Sequence, residues 1–279
     1  MNLVSAVLIT KNEAVFLERC LASLAWADEI VVLDSGSVDA TREIAANLGA
    51  NVYEHEWMGG PKQKNYAASL AKQDWIFFLE ADEIVSPELA QDIQRVLQSP
   101  MNSRDGYSVN RRGDFLGILL PNESRSSKQR SFVRLYNRKQ SAFDQDTKVH
   151  EELKFSGQSI ALRGMFLHWR GYMMDEYITA FNRYATLEAN VLAEQGKKAT
   201  SGLIFMRPIL RFLWLYVYKQ EFRLGTRGLI HAMLKASSEY IRYAKLWEMQ
   251  NAPRTIHPPE DVYFSAQLRE AAPVLQTET

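Results

Sequence analysis

The chain has 279 residues, enough for one large domain or a domain with a helical appendage. Hydrophobic residues make up 46% and charged residues 24%, which excludes global disorder, and 33 basic side chains against 33 acidic ones leave no net charge to recommend a nucleic-acid partner. Cys20 is the single cysteine, so an internal disulfide framework is excluded and a reducing compartment fits.

The opening Met1-Asn2-Leu3-Val4 lacks the basic and then apolar regions of a signal peptide. No stretch approaches the roughly 18 uninterrupted apolar residues of a spanning helix. Val4 to Ile9 predicts a first strand, which ends in Thr10-Lys11-Asn12-Glu13. Leu17, Leu21 and Leu24 then recur at helical spacing, and Cys20 falls among them as a small core residue. Glu29 to Leu33 predicts a second strand, stopped by Asp34-Ser35-Gly36-Ser37, with a helix from Asp39 to Leu48 that Gly49 terminates. A short third strand (51–53), a helix over Lys62 to Ala71 and an apolar strand over Trp75 to Leu79 follow. The acidic turn Glu80-Ala81-Asp82-Glu83 comes next, and then a helix with Ser86 as cap and Pro87 at its first position.

Strand and helix in alternation, with nearly continuous apolar strands, predict an α/β fold with a mostly parallel sheet covered by helices. Such sheets bind ligands beyond the carboxyl ends of their strands. Three predicted strands end there in polar residues. From Gly106 to Phe166 short strands and turns predict a mixed or antiparallel extension. Beyond His168 three helices are expected, over Tyr177 to Gln195, Ile204 to Phe222 and Gly228 to Met249, and then an extended tail.

Three carboxylates in four residues repel one another unless a cation sits among them, and hard ions such as Mg²⁺ or Mn²⁺ suit such oxygens. A solvated acidic turn is the other reading of the same residues. In the Asp34 turn, Gly36 allows a close approach to a ligand and Asp34 offers acceptors to a base or ribose; a simple strand–helix loop capped by Asp39 fits equally. Lys62 and Lys64 stand at a helix start, where cations oppose the helix dipole, so either a phosphate or solvent faces them. His168 reads as a metal ligand, a phosphate contact or a packed histidine beside Trp169, and His55, His231 and His257 read as structural.

Taken together, four of these elements resemble the donor half of family 2 glycosyltransferases with the GT-A fold. They are Thr10-Lys11-Asn12-Glu13, Leu33 to Thr41, Gln63-Lys64-Asn65-Tyr66-Ala67 and Leu79-Glu80-Ala81-Asp82-Glu83. A weaker likeness runs through Val149-His150-Glu151-Glu152 and Leu167-His168-Trp169 into the C-terminal helices, where the chain is similar to bacterial lipopolysaccharide-core glucosyltransferases of the WaaE type. The resemblance implies a Rossmann-like domain over 1–168, with a donor half at 1–100 and an acceptor half at 101–168. A helical region over 169–250 and an extended tail over 251–279 complete the chain.

The resemblance further implies an inverting, metal-dependent hexosyltransferase that takes sugar from a nucleotide-sugar, UDP-linked by expectation, to a glycan or lipid-linked acceptor. Thr10, Asn12, Glu13, Asp34, Gly36, Lys64, Asn65, Glu80 and Ala81 are the expected nucleotide-sugar contacts. Asp82 is the main metal ligand for Mg²⁺ or Mn²⁺, with His168 as a further one, and Glu151 is the expected base. The first acid of the metal motif is Glu80 where the family has Asp, so its contact with metal or ribose stays open. A sugar nucleotidyltransferase is a rival, although the first strand end lacks that class's glycine-rich loop. A binding protein that kept the fold without the chemistry is a second.

Between Lys197 and Lys245 ten basic residues face only Glu221 and Glu239, with aromatic residues interleaved. Helices of that kind lie on anionic membrane surfaces or pack their aromatics on the catalytic domain. The expectation is a cytoplasmic protein in peripheral contact with the inner membrane through 204–247.

Overall fold

The computed structural model describes residues 2–121, 132–145, 152–171 and 173–251. Strand β1 (Val4–Thr10) lies at the centre of a parallel group with β2 (Glu29–Asp34), β3 (Asn51–Glu54) and β4 (Trp75–Phe78). Helices α1 (Ala14–Ala22), α2 (Thr41–Asn47) and α3 (Gly60–Ser69) make the crossovers. Every residue of β4 is buried, as expected of a strand covered on both faces. The sheet carries two large apolar clusters: Leu8, Leu17, Cys20, Phe77 and Leu89 in one, Val7, Leu33, Ile76, Phe78 and Tyr136 in the other. Alternate residues of β1 and β4 thus feed opposite sides.

Beyond β4 come β5 (Glu83–Val85), α4 (Pro87–Leu97), β6 (Gly106–Phe115), β7 (Ile118–Leu119), β8 (Val133–Asn137), β9 (Ala142–Phe143), β10 (Leu153–Lys154) and β11 (Ser159–His168). The main sheet runs β3-β2-β1-β4-β8-β6-β11-β5, with β7 on β6, while β9 and β10 pair separately. Strand β8 is antiparallel to both β4 and β6, so the second half is the mixed extension that the turn-rich sequence predicts. Glu83, expected in a turn, instead opens β5, and β5 runs antiparallel to the end of β11. Ser86 caps α4 by accepting from the Leu89 N–H at 3.2 Å. Gly49 takes a positive φ of 81° just beyond α2, a conformation that favours glycine at a helix end.

The C-terminal region holds α5 (Met174–Glu194), α6 (Ser201–Leu213) and α7 (Gly225–Asn251). The helix expected over Ile204 to Phe222 is broken. It begins earlier, where the Thr200 hydroxyl accepts from the Leu203 N–H, and passes at Trp214 into a π-helical turn that ends at Tyr218. Gln220, with φ of 61°, reverses the chain into a 3₁₀ turn over Glu221–Leu224. The break lets Glu221 turn inward, where its carboxylate lies 2.9 Å from His231 Nδ1, and Gly228 packs against the Glu221 carbonyl. Phe115, Leu120 and Tyr177 form the apolar seam between the sheet end and these helices. Asn251 belongs to α7, and the rest of the expected tail lies outside the described residues.

Candidate active site

The carboxyl ends of β1 and β2 sit side by side, with Thr10 in register with Asp34. Asp34 is fully buried. Its oxygens accept from the Gly36 and Ser37 N–H groups at 3.1 and 2.7 Å and from the Thr10 hydroxyl at 3.1 Å. Gly36 takes φ of 86°, so the turn needs glycine there. Asn12, with φ of 56°, donates from its main chain to the Ser37 hydroxyl and accepts the Val38 N–H, each at 2.8 Å. Glu13 N–H donates to the Thr41 hydroxyl at 2.8 Å. The two loops are therefore clasped to each other, and the Asp34 carboxylate is spent on holding that clasp.

The acidic segment follows β4. The Leu79 N–H still donates to the Val7 carbonyl, which continues the ladder one residue past the strand. Ala81 is buried in the core, so Glu80 and Asp82 are left to face the site. Across the sheet, β11 ends with His168 opposite Glu83, and the Trp169 N–H donates to the Asp82 carbonyl at 2.8 Å. His168 Nε2 consequently lies 3.0 Å from Asp82 Oδ2. Glu80, Asp82 and His168 each offer one ligand atom, and all three atoms fall within 4.8 Å of one another. Two carboxylate oxygens and an imidazole nitrogen make a donor set that fits a divalent cation.

Cations already balance much of this acidity. Lys64, largely buried at 10% side-chain exposure, lies 3.5 Å from Glu80 Oε1 and over the rings of Phe78 and Phe143. Arg134 on β8 donates to Glu83 at 2.7 Å and stands 4.0 Å from Glu80. Arg170 contacts Asp82 Oδ2 through Nε at 2.6 Å and grips both oxygens of Glu13 at 3.1 and 3.2 Å. Loss of water opposes ionisation of Asp82, yet His168 and Arg170 hold its carboxyl below the ordinary range. The same competition, won by Arg134 and Lys64, lowers Glu80. Glu83 is wholly buried, and desolvation pushes it up to about 7 despite Arg134. Burial likewise raises Glu13 against the pull of Arg170.

The structure thus brings Glu13, Glu80, Asp82, Lys64 and His168 to one edge, beside the Thr10–Asp34 loops. Asn65 stands apart: its amide exchanges two hydrogen bonds with the Phe143 main chain, at 2.9 and 2.8 Å, and so pins β9 to α3. Glu151 lies outside the described residues. Arg134 and Arg170 were not singled out by sequence reasoning. Arg170 follows His168 by two positions, a signal available only once His168 is known to turn inward; Arg134 alternates with apolar residues on a short strand and carries no local mark.

A family model for "Glycosyl transferase family 2" matches residues 5–162. The chain belongs to that family. Over 263 residues this transferase is 32% identical to an uncharacterized glycosyltransferase of Rickettsia felis, covering 89% of this chain and 90% of the relative. It is also 32% identical over 250 residues to the lipopolysaccharide core biosynthesis glycosyltransferase LpsC of Rhizobium meliloti, covering 88% and 92%. Among solved structures, the mannosyltransferase PcManGT from Pyrobaculum calidifontis, determined with GDP-Man and Mn²⁺, aligns with a TM-score of 0.50 at 13% identity, over 89% of this chain and 88% of that one. That likeness is one of fold. The transferase therefore has the GT-A architecture with C-terminal helices, as its sequence motifs imply.

Proposed function

We propose that this transferase moves a hexosyl group, with inversion, from a nucleotide-sugar, UDP-linked in the first instance, to a glycan or lipid-linked acceptor such as a lipopolysaccharide core. The convergence of Glu80, Asp82 and His168 at the strand ends carries this reading. Asp82 and His168 would hold Mg²⁺ or Mn²⁺, with Glu80 beside them. When bound, the ion neutralises the departing nucleoside diphosphate as a Lewis acid. Lys64, held among Phe78 and Phe143, supplies fixed positive charge at the same edge. Glu13, with the clasped loops of Thr10, Asn12, Asp34 and Gly36, shapes the nucleoside side. Glu151 takes the proton from the acceptor hydroxyl as its oxygen attacks the anomeric carbon. The test is release of UDP from radiolabelled UDP-glucose with Mn²⁺, alongside a thermal-shift screen of other nucleotide-sugars. Product anomeric configuration by NMR decides inversion. Absence of metal-dependent binding by every nucleotide-sugar tried would overturn the proposal.

A membrane-bound acceptor gains support from the surface of α6. Phe205-Met206, Ile209-Leu210, Leu213-Trp214 and Val217-Tyr218 are all exposed and recur every four residues, forming one apolar stripe along α6 and the π-helical turn. Arg211 and Lys219 sit over the Trp214 ring, at 4.8 and 5.0 Å. An apolar ridge flanked by cations suits insertion among anionic headgroups. No helix among the described residues is long and apolar enough to cross a membrane. Peripheral contact through 204–247, at the cytoplasmic face of the bacterial inner membrane, is the reading these features support.

A further inference from the structure

We infer that Arg170 is an exchangeable counter-ion: it occupies the cation position at Asp82 in the resting enzyme, yields it to the divalent ion, and then binds the donor diphosphate. The inference rests on the metal-dependent reading above and assigns a role to a residue outside the expected motifs.

The geometry at Asp82 motivates it. Asp82 is 3% exposed, and one of its oxygens, Oδ2, already carries both His168 Nε2 at 3.0 Å and Arg170 Nε at 2.6 Å. A metal ion seated on that oxygen must displace a partner. His168 is fixed in the β5–β11 register and is itself one of the clustered ligand groups. Arg170 lies two residues past the end of the strand, is 32% exposed, and precedes Gly171 with φ of 58°. The guanidinium is the partner able to leave.

Charge balance points the same way. Four carboxyl groups gather here (Glu13, Glu80, Asp82 and Glu83), against the three cationic side chains of Lys64, Arg134 and Arg170. With Arg170 in place the cluster tolerates the absence of a metal. Once a divalent ion arrives, Arg170 becomes surplus charge beside two phosphates. Its planar fork, which now spans Glu13 and Asp82, suits phosphate oxygens in the same bidentate manner. Metal and nucleotide would then assist each other's binding through this one side chain.

The experiment measures free Mn²⁺ by room-temperature EPR during titration of the full chain, with and without UDP, for wild type, Arg170→Gln, Arg170→Lys and Asp82→Ala. Without UDP, Arg170→Gln should bind Mn²⁺ at least about fivefold more tightly than wild type, with Arg170→Lys between the two. UDP should tighten Mn²⁺ binding in wild type by about fivefold or more and much less in Arg170→Gln, since the coupling runs through the missing group. Equal or weaker Mn²⁺ binding by Arg170→Gln, or undiminished coupling to UDP, overturns the inference; Arg170→Lys decides the matter by the same ordering if the glutamine variant fails to fold. Should wild type with UDP bind no Mn²⁺, or Asp82→Ala bind as wild type does, it is the underlying metal-site proposal that falls.

Discussion

His168 Nε2 stands 3.0 Å from Asp82 Oδ2 because β5 and β11 pair antiparallel with His168 opposite Glu83. The acidic segment after β4 and the end of a strand from the second half of the domain thereby become one site. The parallel β1–β4 half alone would present the acids without the imidazole.

Asp82→Asn keeps the side chain's shape and removes its charge. Turnover with Mn²⁺ and a nucleotide-sugar should fall by about 10²–10³, the scale on which removing one preorganised electrostatic contact from an active site acts. His168→Gln should weaken Mn²⁺ affinity by a smaller factor while leaving the melting temperature near wild type. Unchanged Mn²⁺ affinity in His168→Gln would reduce that residue to a packing partner of Asp82.

Asp92 on α4 provides a pH-dependent tie to β11. Burial by itself would raise its pKa, but the Arg163 N–H at 2.8 Å and the Arg95 guanidinium at 2.6 Å outweigh that and hold the carboxyl below its ordinary value. A depressed folded-state pKa stabilises the fold above the unfolded value of about 3.9, and the stabilisation fades as pH falls through the lower folded value. Asp92→Asn should therefore cost about 1.5–3 kcal/mol near neutrality, and its deficit relative to wild type should shrink as pH drops from about 5 toward about 2. Urea midpoints across that range make the measurement; a deficit independent of pH would refute the electrostatic account.

Gly164 lies within the register shift of β11, with φ of 78°. A Cβ there would meet the Leu89 main-chain nitrogen at 2.5 Å, just where α4 begins. Gly164→Ala combines an unfavourable backbone conformation with a backbone clash, so a loss of at least about 2 kcal/mol is expected. Chemical denaturation reads it directly, and a near-neutral result would show that α4 can shift away.

Phe205→Glu combined with Leu213→Glu places one charge at the start and one at the centre of the exposed stripe along α6. Co-flotation with vesicles rich in anionic lipid should be lost, while thermal stability and donor binding hold, because neither side chain is buried. Neutral vesicles should bind wild type weakly. If both proteins float equally, or if wild type binds no vesicle and instead sediments as a dimer, the stripe serves another partner.

The parallel half of the fold was readable because its signals are local: apolar runs of strand length, a serine and a proline opening α4, and glycines at turns. Of the candidate cluster, Glu80 and Asp82 were legible together because they share one short segment. Arg134 was not, because its place beside Glu83 depends on β8 inserting between β4 and β6, a pairing without any local mark. The Glu221–His231 contact was hidden for a related reason. The periodicity of Ile204 to Phe222 continues smoothly through the Trp214–Tyr218 stretch, and only tertiary packing turns the chain there. Asp34 adds a contact that no local pattern announces: besides the N–H groups of its own turn, its carboxylate accepts from the Thr10 hydroxyl at the end of the neighbouring strand.

Cys20 is fully buried on the inner face of α1, with Sγ 3.4 Å from the Glu80 carbonyl, and burial together with the nearby Glu83 and Asp82 carboxylates pushes its thiol pKa well up. A thiol in that state resists alkylation for as long as the acidic segment stays seated. The native sequence thus carries its own silent reporter: the rate at which Cys20 becomes labelled by a maleimide measures how often the backbone at Glu80 lifts from α1. A single cysteine introduced on the surface, at Val217 for example, can also be tagged without first mutating the native one.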